Sequence, residues 1–249
     1  MILLLAGTKD GREIAEKLKR KGISTIISTV TDYGASLLND SFIVHSGALN
    51  EQGLIKFIIE NKIECLIDAT HPFAKNASIN TINACKKTGI DYIRYERESV
   101  YDDSCIMVEN YDEAVNKCMS FKNIFLTIGS KNLEKFKVLL DMQKNLTARV
   151  LPLSSVIKIC EEAGFTPKNI IGMEGPFTKE LNYYMFKEKK AEVVVTKESG
   201  NTGGVVEKIE AAKMLNIPII VIKRPVIDYP IIFSSIDNLV NEVSYRGYK

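Results

Sequence analysis

The chain has 249 residues, 33 Lys+Arg against 31 Asp+Glu, and a composition that is 45% hydrophobic and 26% charged. These fractions are ordinary for a globular protein and exclude intrinsic disorder, collagen-like repeats and coiled coil; the net charge of +2 excludes a nucleic-acid binder that works through a broad basic face. At roughly 150 residues per domain, one large domain and two small ones are both open.

In chain order, short apolar runs alternate with amphipathic stretches, the pattern of βα units around a parallel sheet. Strands are expected at Ile2–Ala6, Ser24–Ser28, Phe42–His45, Cys65–Ala69 and Tyr92–Tyr95. Helices are expected between them at about Gly11–Lys21, Glu51–Glu60 and Ala74–Lys87, where apolar residues recur at three- and four-residue steps. A second series has strands at Ile106–Val108, Ile124–Ile128, Thr147–Leu151, Asn169–Gly172, Val193–Thr196 and Ile219–Ile222. Its helices fall at about Asp112–Phe121, Ser155–Ala163, Lys179–Lys189, Val206–Leu215 and Ile236–Tyr245. The polar segment Glu98–Ser104 joins the two series and is the candidate linker. The expected fold is therefore α/β, with two Rossmann-like lobes, residues 1–100 and 101–249. Their active site is expected in the cleft between them, beyond the carboxyl ends of the strands.

The longest apolar runs, Met1 to Ala6 and Ile217 to Ile222, are about a third of the length needed to cross a bilayer. The first lacks a basic leader and gives way at once to Gly7-Thr8-Lys9-Asp10, so neither a membrane partner nor a signal peptide is expected, and the expected location is the cytoplasm. Five widely spaced Cys without a C-x-x-C pair, and only two His, support neither a disulfide framework nor a metal site.

The first βα turn, Ala6-Gly7-Thr8-Lys9-Asp10-Gly11-Arg12, runs from a buried strand straight into a helix. Free backbone N–H groups and the helix dipole there suit a phosphate. Arg12 in the first helical turn is unfavourable to the helix unless an anion offsets it. Past the second strand, Ser28 and Thr29 stand where NAD-binding folds carry an acid. Hydroxyls there leave room for a 2′-phosphate, so NADPH is the expected cofactor. The fourth strand ends in Asp68-Ala69-Thr70-His71-Pro72. His71 is the candidate proton donor, Asp68 the candidate group holding its tautomer, and an N-capping role for Asp68 or Thr70 is compatible with both. Ser130 and Lys131 follow one strand of the second series, and Lys197 and Ser199 another, with hydroxyl and cationic groups suited to anions. Arg94, Arg97, Arg149 and Arg224 stand at or just beyond strand ends in a chain with 26 Lys and only 7 Arg. Arginine pairs bidentately with carboxylates, so a polycarboxylate ligand competes here with surface ion pairing.

The blocks LLLAGTKDGREIA, DATHPFA, YIRYERES, LTIGSKNL, RVLP, GPFTKELN, VVVTKESGNTGGVVEKIEAA and IPIIVIKRP, in this order, resemble the precorrin-6A reductase family of cobalamin biosynthesis. The resemblance spans residues 2 to about 225. It implies two Rossmann-like lobes, leaves open a strand exchange between them, and implies NADPH-dependent reduction of one ring double bond of precorrin-6A or its cobalt-containing equivalent. By matching motif, Gly7, Thr8, Lys9, Gly11 and Arg12, with Ser28 and Thr29, would hold the cofactor. Asp68, Thr70 and His71 would border the reacting centre. Arg94, Arg97, Ser130, Lys131, Arg149, Lys197, Ser199 and Arg224 would contact a tetrapyrrole polycarboxylate. The sequence departs from the expected glycine-rich pattern at Asn201 and Thr202. The rivals are a non-catalytic nucleotide-sensing protein and a short-chain reductase. The latter is suggested by Tyr183 and Lys187 but lacks the upstream Ser.

Overall fold

The computed structural model describes residues 1–100 and 102–248. It divides into two compact units, Met1–Glu98 with Pro225–Lys249, and Ser99–Arg224. The expected linker Glu98–Ser104 contains Tyr101, which lies outside the described residues.

The first unit runs β1 (Ile2–Ala6), α1 (Lys9–Arg20), β2 (Thr25–Thr29), α2 (Asp32–Ser36), β3 (Ile43–Ser46), α3 (Glu51–Glu60), β4 (Cys65–Ala69), α4 (Lys75–Thr88) and β5 (Asp91–Tyr95). The second runs β6 (Ile106–Val108), α5 (Tyr111–Cys118), β7 (Asn123–Leu126), α6 (Lys137–Asp141), β8 (Asn145–Val150), α7 (Ser154–Glu162), β9 (Ile170–Gly172), α8 (Lys179–Glu188), β10 (Val193–Lys197), α9 (Val205–Leu215) and β11 (Ile219–Ile222). The chain then returns to the first unit with β12 (Ile232–Phe233) and α10 (Ile236–Arg246).

Both sheets have six strands, in the orders β12-β5-β4-β1-β2-β3 and β6-β11-β10-β7-β8-β9. All ladders are parallel. The windings are the same, and strand order reverses beside β1 in one sheet and beside β7 in the other. Such a reversal leaves a crevice outside the carboxyl ends of the strands, where open α/β sheets bind ligands. The sixth strand of each sheet comes from the segment that follows the fifth strand of the other: β6 follows β5 and pairs with β11, while β12 follows β11 and pairs with β5.

The expected second lobe of residues 101–249 is thus corrected at its end. Pro225–Lys249 belongs to the first unit because Leu239, Val240 and Val243 of α10 are buried in one core with Ile2, Leu4, Ile14 and Leu18. Burial of such side chains is worth about 1.5–3 kcal/mol each relative to leaving them exposed. The short α2 has no buried residue and hence no apolar period to reveal it.

Candidate functional site

At the first reversal, β1 and β4 lie side by side with Ala6 opposite Ala69, which brings the Gly7–Arg12 turn next to Thr70 and His71. Thr8 locks the two loops together: its hydroxyl donates to the Ala69 carbonyl at 3.1 Å and accepts from the Gly11 N–H at 3.1 Å, capping α1. Gly11 is required by packing, since a Cβ there would come within 2.9 Å of the Ala6 Cβ. Gly7 is not. It is exposed, its backbone is not in the left-handed region, and a Cβ would meet nothing within 4 Å. Lys9 is exposed and Arg12 half-buried, and among the described residues the Arg12 guanidinium has neither a hydrogen bond nor an ion pair. Asp10, buried in the same turn, is paired with Arg97 at 2.8 Å. Arg97 therefore neutralises a carboxylate that would repel an anion at this turn.

At the end of β2, Ser28 and Thr29 are buried, and the Thr29 hydroxyl donates to the Thr31 carbonyl at 3.2 Å. Asp32, the nearest acid, accepts from the Ser46 hydroxyl at 2.6 Å.

Asp68 and Arg94 are also corrected. The Asp68 carboxylate is fully buried and accepts five hydrogen bonds. Oδ1 takes them from the Thr70 N–H and hydroxyl and from Arg94 Nη1, and Oδ2 from the Ser78 and Tyr92 hydroxyls, all at 2.6–3.0 Å. Burial alone would raise its pKa, but Arg94, with the Ser78 and Thr70 hydrogen bonds, outweighs burial and holds the carboxyl below the usual range. Such a group does not exchange protons with a ligand. Arg94 is 1% exposed, paired with Glu96 at 2.6 Å as well as Asp68, and stacked on Tyr229 with its guanidinium carbon 5.3 Å from the ring centroid. Its pairing capacity is used inside the fold rather than on a ligand. Asp68 does not orient His71 either; the Phe73 N–H donates to His71 Nδ1 at 3.1 Å, so the neutral ring carries its proton on Nε2. Nor do Asp68 and Thr70 cap α4, whose N-terminus at Ala74 has no side-chain hydrogen bond.

In the second unit, Arg224 Nε pairs with the buried Glu198, whose Oε1 accepts from the Val100 and Gly200 N–H groups at 3.0 Å. The Ser199 hydroxyl donates to the Gly203 carbonyl at 3.2 Å, fixing the turn that contains Asn201 and Thr202. Arg224 and Ser199 thus each make an internal contact. Ser130 is half-buried and Lys131 exposed in the loop after β7. Arg149 on β8 is buried under Phe177, its guanidinium carbon 3.7 Å from the ring centroid, and Nη1 donates to Asn182 Oδ1 at 2.7 Å. Lys197 ends β10, where burial pushes its pKa down to about 8 and Lys131 adds to the effect. One residue here was missed: Lys208, on α9. The apolar spacing Val205, Ile209, Ala212 places position 208 on the buried face, and a lysine at that position was the available signal.

Residues 1–244 match the family model described as precorrin-6x reductase CbiJ/CobK. A cobalt-precorrin-6A reductase of Priestia megaterium is 42% identical over 248 residues, covering 97% of both chains. One from Methanocaldococcus jannaschii is 38% identical over 250 residues, covering 98% of both. The solved structure of CobK precorrin-6A reductase superposes with a TM-score of 0.84 at 23% identity, covering 100% of this chain and 98% of that one, and so shares the fold.

Proposed function

The chain belongs to the precorrin-6x reductase CbiJ/CobK family, and from that premise we propose that it reduces one ring carbon–carbon double bond of cobalt-containing precorrin-6A with NADPH. It is an oxidoreductase of corrin-ring assembly in cobalamin biosynthesis. The cobalt form of the substrate is favoured by two relatives, at 42% and 38% identity, both named cobalt-precorrin-6A reductase.

The cofactor reading is carried by one contrast in the first turn. Packing demands glycine at 11 but not at 7, so the bare backbone at Gly7 is free to serve a ligand, and among the described residues Arg12 pairs with no carboxylate. The residues fit a phosphate-bearing cofactor. Backbone N–H groups of Gly7, Thr8 and Lys9 at the start of α1 would receive its diphosphate, and Arg12 would pair with a phosphate. Ser28 and Thr29 put no carboxylate at the end of β2, and Asp32 is engaged by Ser46; both favour the 2′-phosphorylated cofactor.

When bound, the cofactor supplies the hydride, and the protein contributes orientation and electrostatics. His71, with Nδ1 accepting from the Phe73 amide, would present Nε2–H as a hydrogen-bond donor to the ring. Thr70, fastened to Asp68 and Arg94, would fix the backbone on which His71 stands. Ser130, Lys131, Arg149 and Lys197 would meet acidic arms of the macrocycle.

The test mixes the purified protein with NADPH and with precorrin-6A or its cobalt form and follows NADPH absorbance. Oxidation fastest with the cobalt form is expected; tight NADPH binding without oxidation by either form would overturn the reading. Arg12→Ala is expected to weaken NADPH more than NADH, and equal losses would assign Arg12 to the diphosphate.

A further inference from the structure

Three buried or half-buried arginines in this protein are matched by carboxylates: Arg94 by Asp68 and Glu96, Arg97 by Asp10, Arg224 by Glu198. Arg149 and Lys208 in the second unit break the pattern. Arg149 is 5% exposed and Lys208 7% exposed, and among the described residues no carboxylate oxygen lies within 4.0 Å of either cation. Arg149 has only the Asn182 amide oxygen, the Met185 sulfur and the Phe177 face, and Lys208 Nζ donates to the Gly203 carbonyl at 3.1 Å. These partners are neutral.

The cations also act on one another. Burial, with Arg149 and Lys197 adding to it and Glu207 offsetting a part, pushes the Lys208 ammonium down to about 7. Lys197 is in turn affected by Lys131. The four positions come from β8, the β7 loop, the end of β10 and α9, that is, from the strands flanking the reversal at β7 and the helix that follows. Isolated buried charge costs several kcal/mol per ion unless it is compensated. A fold that gathers like charges at its ligand-binding edge and gives Arg149 and Lys208 only neutral partners is built to receive an anion.

We propose that Lys208, with Arg149 and Lys197, forms a carboxylate site at the carboxyl edge of the second sheet that takes an acidic arm of the tetrapyrrole. The identity of the carboxylate's donor rests on the function proposed above; the anion site itself does not. Lys208 is the residue to vary, because its Nζ donates to a neutral backbone carbonyl and keeps N–H groups for an anion.

The test compares the full chain with Lys208→Met and Lys208→Arg by thermal unfolding and calorimetric titration, with sodium citrate, NADPH and the tetrapyrrole as separate probes. Without ligand, Lys208→Met melts above wild type, because an uncompensated buried cation has been removed. Citrate raises the melting temperature of wild type and Lys208→Arg and leaves that of Lys208→Met unchanged. The tetrapyrrole binds Lys208→Met at least about tenfold more weakly, as expected for a lost hydrogen bond to a charged group, while NADPH binds all three alike. Equal citrate responses in wild type and Lys208→Met overturn the anion site. Loss of NADPH affinity with tetrapyrrole affinity intact overturns the carboxylate assignment and gives the site to a cofactor phosphate. A citrate response that depends on Lys208, in a chain that neither binds nor reduces the tetrapyrrole, supports the anion site and overturns the proposed function instead.

Discussion

Asp68 and Arg94 are register partners across the β4–β5 ladder, and their side chains close that pairing with a 2.8 Å ion pair that is 0% and 1% exposed. Removing Arg94 strands the Asp68 charge, whereas removing Asp68 leaves Arg94 with Glu96, so Arg94→Ala is expected to cost about 3–5 kcal/mol in urea unfolding and Asp68→Ala less, with the double variant losing less than the sum. The pH dependence has a definite sign. The Asp68 pKa is lower in the folded state than in the unfolded one, so the pair's contribution is complete above about pH 4 and lost as pH falls further. A wild-type acid transition unchanged by Asp68→Asn would contradict this role.

Gly7 and Gly11 separate fold from ligand. Gly11→Ala drives a methyl group into Ala6 and is expected to destabilise by about 1–3 kcal/mol, as overpacking does. Gly7→Ala meets nothing in the protein, so its melting temperature should match wild type while NADPH affinity falls. Unaltered NADPH affinity in Gly7→Ala would move the diphosphate away from this turn.

His71→Ala should lower turnover by about 10²–10³-fold, the usual range for a lost hydrogen-bond donor to developing charge, with the NADPH dissociation constant unchanged. Steady-state kinetics beside a fluorescence titration decides this. Turnover equal to wild type would leave His71 only its place in the turn closed by the Ala74 N–H to His71 carbonyl bond.

Leu239 tests the assignment of the C-terminal segment. It is fully buried among Ile2, Leu4, Ile14 and Leu18, so Leu239→Ala is expected to cost about 2–5 kcal/mol in equilibrium unfolding. A cost well below 1 kcal/mol would show that α10 packs loosely on the first unit.

Much of the fold was legible because the strands are buried on both faces and read as unbroken apolar runs, as at Ile2–Ala6 and Cys65–Ala69. β12 was not: Ile232–Phe233 is two residues long, and its pairing with Arg94 and Tyr95 is set by tertiary return rather than local pattern. In the site, the Gly7–Arg12 turn was visible because glycine spacing is local. Arginine partners were not, since Arg94 reaches Asp68 across 26 positions and Arg224 reaches Glu198 across as many. A strand-end arginine reads the same in sequence whether it faces a ligand or a buried acid. Lys208 was hidden for the opposite reason, as a lysine on a helix ordinarily reads as surface.

The most direct measurement of the central claim is isotope transfer. With NADPH carrying deuterium at both C4 positions of the nicotinamide and cobalt-containing precorrin-6A as acceptor, mass spectrometry should find a single deuterium in the reduced macrocycle. A reduced macrocycle free of deuterium, or no reduction at all, would contradict hydride transfer from NADPH to the ring by this protein.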